Sequence, residues 1–306
     1  MSNENNRLIV KSNKLIEASY RLTLNEQRVL LAGISQIDSR NSLEENMTFE
    51  VHAQDIQDLV GLEDNKNIYR ALKAASEKLY ERTVVIDDPD PSNPAITKRK
   101  TRWISSIDYI PGEGRLVMIF SAGIIPYLSS LTSSFTKYKL THIARFESVY
   151  SIRMYEMFSQ WSGVGRFEIT LDEFRERLQV QNLYKRVTDL KKRVIDPGVK
   201  EINLHSNLDA KYGLRKTGKV ITHIQFEFKA KPGAITDKMI RDAARPGESS
   251  EQVAARLKME QKSTIEKQSL HQPQEREASS SPVSVDEYRK QALAITGNKR
   301  KIQTSQ

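Results

Sequence analysis

The sequence predicts an α+β fold of two tandem winged helix-turn-helix domains followed by a polar, largely disordered tail. Three observations carry this. Residues 47–62 (MTFEVHAQDIQDLVGL) and 165–180 (GRFEITLDEFRERLQV) match at a constant offset, with Phe49 on Phe167, Glu50 on Glu168, Val51 on Ile169, Ile56 on Phe174 and Leu62 on Val180. After a three-residue deletion the match continues, with Tyr69 on Tyr184, Leu72 on Val187, Ala75 on Leu190 and Leu79 on Val194. Two copies of one supersecondary unit is the simplest account. Each copy also reads helix, short strand, helix, helix, hairpin, the order of a winged helix-turn-helix domain. Finally, from Pro232 the composition shifts to KPGAITDK, RPGESSEQ and HQPQEREASSSPVS, too polar to bury a core, apart from a short helix within 251–265. The expected division is an N-terminal arm at 1–20, a first winged domain at 21–143, a second at 144–231 and the tail at 232–306.

In the first copy a helix spans 24–37, opened by Thr23 with Glu26 three residues on, a capping box. The extended FEV follows, then a second helix with a weaker cap from His52 and Asp55. The third helix turns Ile68, Leu72, Ala75 and Leu79 inward and Lys66, Arg70 and Lys73 outward. The segments RWISSIDYI and RLVMIF then flank a turn at Pro111 to Gly114. In the second copy the corresponding parts are a helix over 150–161, the extended FEI, a second helix capped by Thr170 and Glu173, and a third helix. A hairpin with its turn at Thr217 and Gly218 closes it, and Val220, Thr222, Ile224, Phe226 and Phe228 alternate with Ile221, His223, Gln225 and Glu227. The apolar stretch GIIPYLSSLTSSF over 123–135 reads equally as interdomain packing or as a dimer surface.

Composition narrows the function classes. The chain has 306 residues, enough for two domains. It has no cysteine, which removes disulfides, thiolate catalysis and cysteine-bound zinc. No apolar run approaches the ~18 residues a spanning helix needs, and the N-terminus lacks a signal-peptide pattern. A cytoplasmic protein with no membrane partner is expected. The net charge of +9 favours a polyanionic partner. Signals for enzymology are weak. The five histidines show no HxH or HExxH spacing, Gly163 and Gly165 form a lone GxG, and no phosphate-loop motif is present. Asp87, Asp88 and Asp90 sit among prolines that mark a loop, and His142 with Arg145 matches only the four-residue HxxR box of tyrosine recombinases. No catalytic residue, metal or cofactor is expected.

The third helix of the second copy carries the chemistry. Leu183, Val187, Leu190 and Val194 recur at intervals of four, three and four, and fall on one face. Lys185, Asp189 and Lys192 point away from that face, with Arg186 and Arg193 together on a flank. A recognition helix needs this division, offering donors to guanine O6 and N7, an acid to cytosine N4 and cations to phosphates. Asp189 and Lys192 are the candidates for base edges, and Lys185, Arg186 and Arg193 for base or phosphate contacts. A solvated face is the bland alternative, and the second basic outer face, at Lys66, Arg70 and Lys73, tells against it. Lys98, Arg99 and Lys100 enter the first wing, and Arg215, Lys216 and Lys219 surround the tip of the second, positions suited to phosphates.

The motifs LIVKSNKLIEASYRLTLNEQRVLLAGISQI, FEVHAQDIQDLVGL, YSIRMYEMFSQW, YKRVTDLKKRVIDPGVKEIN and GKVITHIQFEF, in this order over about 8–230, resemble the iteron-binding replication initiators of theta-replicating bacterial plasmids. One departure is His52, which stands where that family usually has threonine. The resemblance implies two winged-helix domains binding double-stranded DNA, as short direct repeats at an origin and as an inverted repeat in the protein's own promoter. It also implies opening of AT-rich DNA, recruitment of the host initiator and helicase, control of copy number, and a homodimer in equilibrium with monomer. The family's acid and base on the outer face of the second domain's third helix map to Asp189 and Lys192. A winged-helix repressor without initiator activity would share the same DNA surface.

Overall fold

The computed structural model describes residues 7–60, 67–87, 93, 95–232 and short stretches between 242 and 260. The chain divides into two compact units, 1–244 and 245–306, and the first holds every strand among the described residues. In the second, described residues between 252 and 260 are helical, and Arg256 pairs with Glu248 at 2.9 Å and with Glu260 at 3.3 Å. The remainder of the predicted tail lies outside the described residues.

The expected N-terminal arm is folded from Leu8 onward. Strand β1 (Leu8–Ser12), helix α1 (Asn13–Glu17) and strand β2 (Ser19–Tyr20) lead into helix α2 (Leu24–Ile34). β1 pairs antiparallel with β8 (Phe135–Lys139), and Ile9, Leu15 and Ile16 are completely buried. The strand signal was hidden because its second inward residue is Lys11, a charge where alternation calls for an apolar side chain.

α2 begins as predicted. The Glu26 amide donates to Thr23 Oγ1 (3.3 Å) and the Thr23 amide donates to Glu26 Oε2 (2.9 Å). The Glu26 carboxylate also receives Arg82, at 2.7 and 2.9 Å. Thr23→Ala removes one half of this box and is expected to cost about 1 kcal/mol. Urea denaturation reads this directly.

The internal repeat is a repeat in space. The first copy comprises β3 (Thr48–His52), α3 (Ala53–Val60), α4 (Asn67–Leu79) and the hairpin β6 (Ile104–Ile110) and β7 (Arg115–Phe120). The second comprises β9 (Arg166–Thr170), α6 (Leu171–Arg177), a third helix and the hairpin β10 (Leu208–Thr217) and β11 (Val220–Ala230). In both, the short first strand pairs antiparallel with the last strand of the hairpin, giving the orders β3-β7-β6 and β9-β11-β10. On α4, Ile68, Leu72, Ala75 and Leu79 are all buried. Gly114 closes the first hairpin at φ +57°, and a Cβ there would lie 2.2 Å from the Tyr69 ring, so only glycine fits.

One segment departs from expectation, and at another an open alternative narrows. Residues 98–102 do not belong to the first wing. They form β5 (Lys98–Arg102), which pairs with β4 (Thr83–Asp87) in a separate sheet ordered β2-β4-β5. The stretch 123–135 is no open surface at its start, since Ile124 and Leu128 are completely buried and Tyr127 nearly so.

Helix α5 (Val149–Gln160) is buried on all sides over residues 151–158. Its Glu156 carboxylate receives Lys11 Nζ (2.6 Å) and Tyr138 Oη (2.7 Å) on Oε1, and Arg153 Nη1 (2.9 Å) on Oε2. Arg153 also donates to Tyr20 Oη (2.7 Å) and to the Ala18 carbonyl (2.8 Å). These bonds join β1, β2 and β8 to a helix whose other side faces the second copy. No helix among the described residues is long and apolar enough to cross a membrane.

Candidate nucleic-acid interface

The third helix of the second copy is one continuous rod in three parts: α7 (Val187–Leu190), a π-helical turn (Lys191–Ile195) and α8 (Asp196–His205). Leu190, Val194, Ile195 and Ile202 are buried, with Val187 and Val199 partly so. Leu183, expected as the first inward residue, instead lies in a turn before the helix and is 47% exposed. The cause is the left-handed backbone at Gln179 (φ +54°), after which 181–186 form a tight connection. Arg175 of α6 steadies that connection by donating to the Lys185 carbonyl (3.0 Å). At the α6 start, the Glu173 amide donates to Thr170 Oγ1 (3.1 Å). The Glu173 side chain pairs with Arg177 (2.6 Å), so the expected capping box is half formed.

The π-turn has a cause in the sequence. Pro197 has no N–H to donate to the carbonyl four residues back, and its ring crowds that carbonyl. A widened turn just upstream accommodates it, and such turns recur at functional sites. Gly198 then lets α8 lie against α5, because a Cβ there would meet Met154 Sδ at 2.7 Å.

This geometry brings five predicted residues onto one exposed surface. Lys185 and Arg186 immediately precede α7, Asp189 lies on it, and Lys192 and Arg193 project from the π-turn. All five are exposed, and none of their side chains has a hydrogen-bond or ion-pair partner among the described residues. The surface is thus four unpaired cations around one unpaired acid. The wing is divided. Lys216 and Lys219 are exposed around its tip, where Gly218 takes φ +63°. Arg215, by contrast, donates to Glu168 from Nη2 (2.6 Å) and Nε (3.1 Å). Glu168 is held below the usual carboxylate range by those Arg215 bonds and then by Gln225. Arg215 is therefore paired on the exposed face of the sheet.

In the first copy, Arg70 and Lys73 are exposed on α4 without side-chain partners among the described residues, while Lys66 lies outside those residues. In β5, Lys98 pairs with Asp87 (3.3 Å), Arg99 donates to Tyr127 Oη (3.2 Å), and Lys100 is exposed. His142 sits in the fold rather than on a surface, 2.9 Å from Tyr155 Oη, and burial then the nearby Lys139 push it down to about 4. It is a neutral packing histidine at pH 7. No group of three His, Asp or Glu among the described residues is placed to hold a metal. Asp196 and Tyr212, outside the residues expected from the sequence, engage Lys191 beside the exposed surface. For Asp196 the signal was the dipeptide Asp-Pro inside an otherwise regular helix pattern.

Two family models match the chain: "Initiator Replication protein, WH1" over residues 8–159 and "Initiator Rep protein, WH2" over 170–228. Among relatives, a "Replication initiation protein" of Escherichia coli is 28% identical over 212 residues, covering 66% of this chain and 63% of its own length. The "PI protein" of Escherichia coli is 26% identical over 247 residues, covering 71% of this chain and 80% of its own length. The crystal structure of the Pi initiator protein in complex with iteron DNA superimposes with a TM-score of 0.64. It is 24% identical and covers 74% of this chain and 99% of that one, a likeness of fold.

Proposed function

The chain belongs to the initiator replication protein family with paired winged-helix domains, and we propose that it starts plasmid replication by binding direct repeats at an origin. The observation that carries this is the third helix of the second domain. Lys185, Arg186, Asp189, Lys192 and Arg193 are exposed there and without side-chain partners among the described residues, on a rod anchored by Leu190, Val194 and Ile202. A buried inner face fixes the helix as a rigid body, and an outer face with both an acid and bases offers an acceptor for cytosine N4 beside donors for guanine O6 and N7. Asp189 and Lys192 read base edges. Lys185, Arg186, Arg193 and the wing residues Lys216 and Lys219 hold phosphates, while Arg70, Lys73 and Lys100 add contacts from the first domain. Binding opens adjacent AT-rich DNA and recruits the host initiator and helicase in the bacterial cytoplasm. The same surface represses the protein's own promoter as a dimer, and the protein has no catalysis of its own.

Lys192→Ala is expected to weaken binding to a duplex selected from a randomised library by the wild-type protein by about 1–3 kcal/mol, and to relax preference at one base position. Fluorescence anisotropy on selected and random duplexes measures both. Equal losses on the two would sink the base-reading role. The function itself is tested by placing this gene with its upstream DNA on a marker lacking any other origin. Failure to replicate, with repression of the gene's promoter intact, would make the protein a repressor instead.

A further inference from the structure

Three consecutive cations, Lys191, Lys192 and Arg193, occupy the π-turn, and among the described residues only the first has an ion-pair partner. Lys191 Nζ donates to both oxygens of Asp196, at 3.0 and 2.8 Å. The Tyr212 hydroxyl on wing strand β10 donates to Asp196 Oδ1, and Lys191 Nζ stands 5.7 Å from the Tyr212 ring centre. In a regular α-helix, side chains five apart project about 140° from each other and do not meet. The π-turn brings positions i and i+5 toward one face, so the turn that Pro197 requires also closes this pair. The carboxylate has two ties, one to its own helix and one to the wing.

We propose that Asp196, braced by Tyr212, is a positioning residue that sets specificity by holding Lys191 away from the DNA backbone. The inference rests on the reading of this helix as the groove-reading element. A lysine on a flexible four-carbon stem beside the reading face would take any phosphate in reach, whatever the sequence. Such a contact strengthens binding to random duplex as much as to the repeat, and a replicon offers far more of the former. Holding the ammonium on a fixed carboxylate keeps it on the protein. Lys191 sits above and Asp196 below the ordinary value, each chiefly through its hydrogen bond with the other, so both are charged at neutral pH.

The test uses the full-length protein on a random-sequence duplex and on the library-selected duplex over a range of salt concentrations. For Asp196→Ala, the slope of log K against log salt on random duplex should steepen by about 0.9, the signature of one added phosphate contact. Random-duplex affinity should rise and the selected-to-random ratio fall. Tyr212→Phe keeps the ring, removes only the hydroxyl brace, and should move both quantities in the same direction by less. Lys191→Ala alone should leave both affinities at wild-type values, and the double variant Lys191→Ala/Asp196→Ala should restore the wild-type slope. An unchanged slope in Asp196→Ala, or a steepened one that survives in the double variant, overturns the inference. Lys192→Ala separates the two levels. If it weakens the selected duplex while Asp196→Ala changes nothing, only this inference fails; if it weakens nothing, the helix does not read DNA and both readings fall.

Discussion

Glu156→Gln is expected to destabilise the first unit by about 3–5 kcal/mol, the usual cost of removing one partner from a buried ion cluster. Domains of this kind are stable by only about 5–15 kcal/mol in total, so the urea midpoint should drop steeply. The geometry explains the size. Lys11 and Glu156 side chains are fully buried and Arg153 is 3% exposed, so none of the three has water to fall back on. Glutamine retains the shape but offers one acceptor oxygen, and its amide faces donors that previously met a carboxylate. Two cations would then share an interior with no anion.

The cluster's charge balance predicts an asymmetry. With two cations to one anion, Lys11→Met leaves Arg153 and Glu156 as a matched pair, with the Tyr20 hydroxyl (3.3 Å) and the Tyr138 hydroxyl still donating to the carboxylate. It should therefore cost less than Glu156→Gln. Combining the two should cost less than the sum of the single losses, since Lys11 has nothing to pair with once Glu156 is gone. Burial lowers Lys11, and Glu156 only partly offsets this. For Glu156 itself, burial pushes the carboxyl up, but Lys11 and Arg153 together outweigh it and hold it below its ordinary value of 4.5. A depressed folded value means that this contribution is present above the ordinary carboxylate range and is lost as pH falls through the folded value. Urea midpoints taken from pH 7 to pH 3 should fall more steeply for wild type than for Glu156→Gln. Parallel curves would rule out an ionised Glu156 in the fold.

That cluster also explains where the sequence could be read and where it could not. The repeat was legible because the two copies place apolar residues at matched positions, and the matches Leu72 with Val187 and Leu79 with Val194 are core positions in both. The hairpins were legible from alternation and turn glycines. Residues 1–20 were not, because Lys11, Arg153 and Glu156 read as surface charges while their partners lie far apart in sequence, 145 residues in the case of Lys11 and Glu156. Charge is evidence of exposure only when its partner is water. The start of the third helix was misplaced for a different reason: Leu183 keeps the apolar spacing but lies beyond a left-handed residue, and spacing carries no information about φ. Of the candidate interface, the identity of the outer residues was legible. That Arg215 and Lys191 are paired depends on Glu168 and Asp196, whose positions only the folded chain sets.

Phe158→Ala is expected to cost about 3–5 kcal/mol, comparable to Glu156→Gln but through the opposite side of the same helix. At 100° per residue, Arg153 and Glu156 lie within ~60° of each other, and Met154 and Phe158 lie together on the far side. Phe158 is completely buried, stacked on Phe228 at 4.9 Å, with Phe226 at 5.0 Å and Phe167 at 5.9 Å. It is the residue by which α5 grips the sheet β9-β11-β10, as Met154 grips α8 through the gap left by Gly198. Removing the ring leaves a cavity bounded by three aromatic rings on sheet strands, which cannot collapse into it without bending the sheet. The loss should appear as a lower urea midpoint and as faster amide exchange in β10 and β11. DNA affinity should fall only as far as the folded population falls, and low temperature should recover it. Lys192→Ala should behave in reverse, with weakened binding at an unchanged midpoint. A Phe158→Ala cost below about 1.5 kcal/mol, the range of a tolerated core swap, would mean that Phe226 and Phe228 hold the wing without α5.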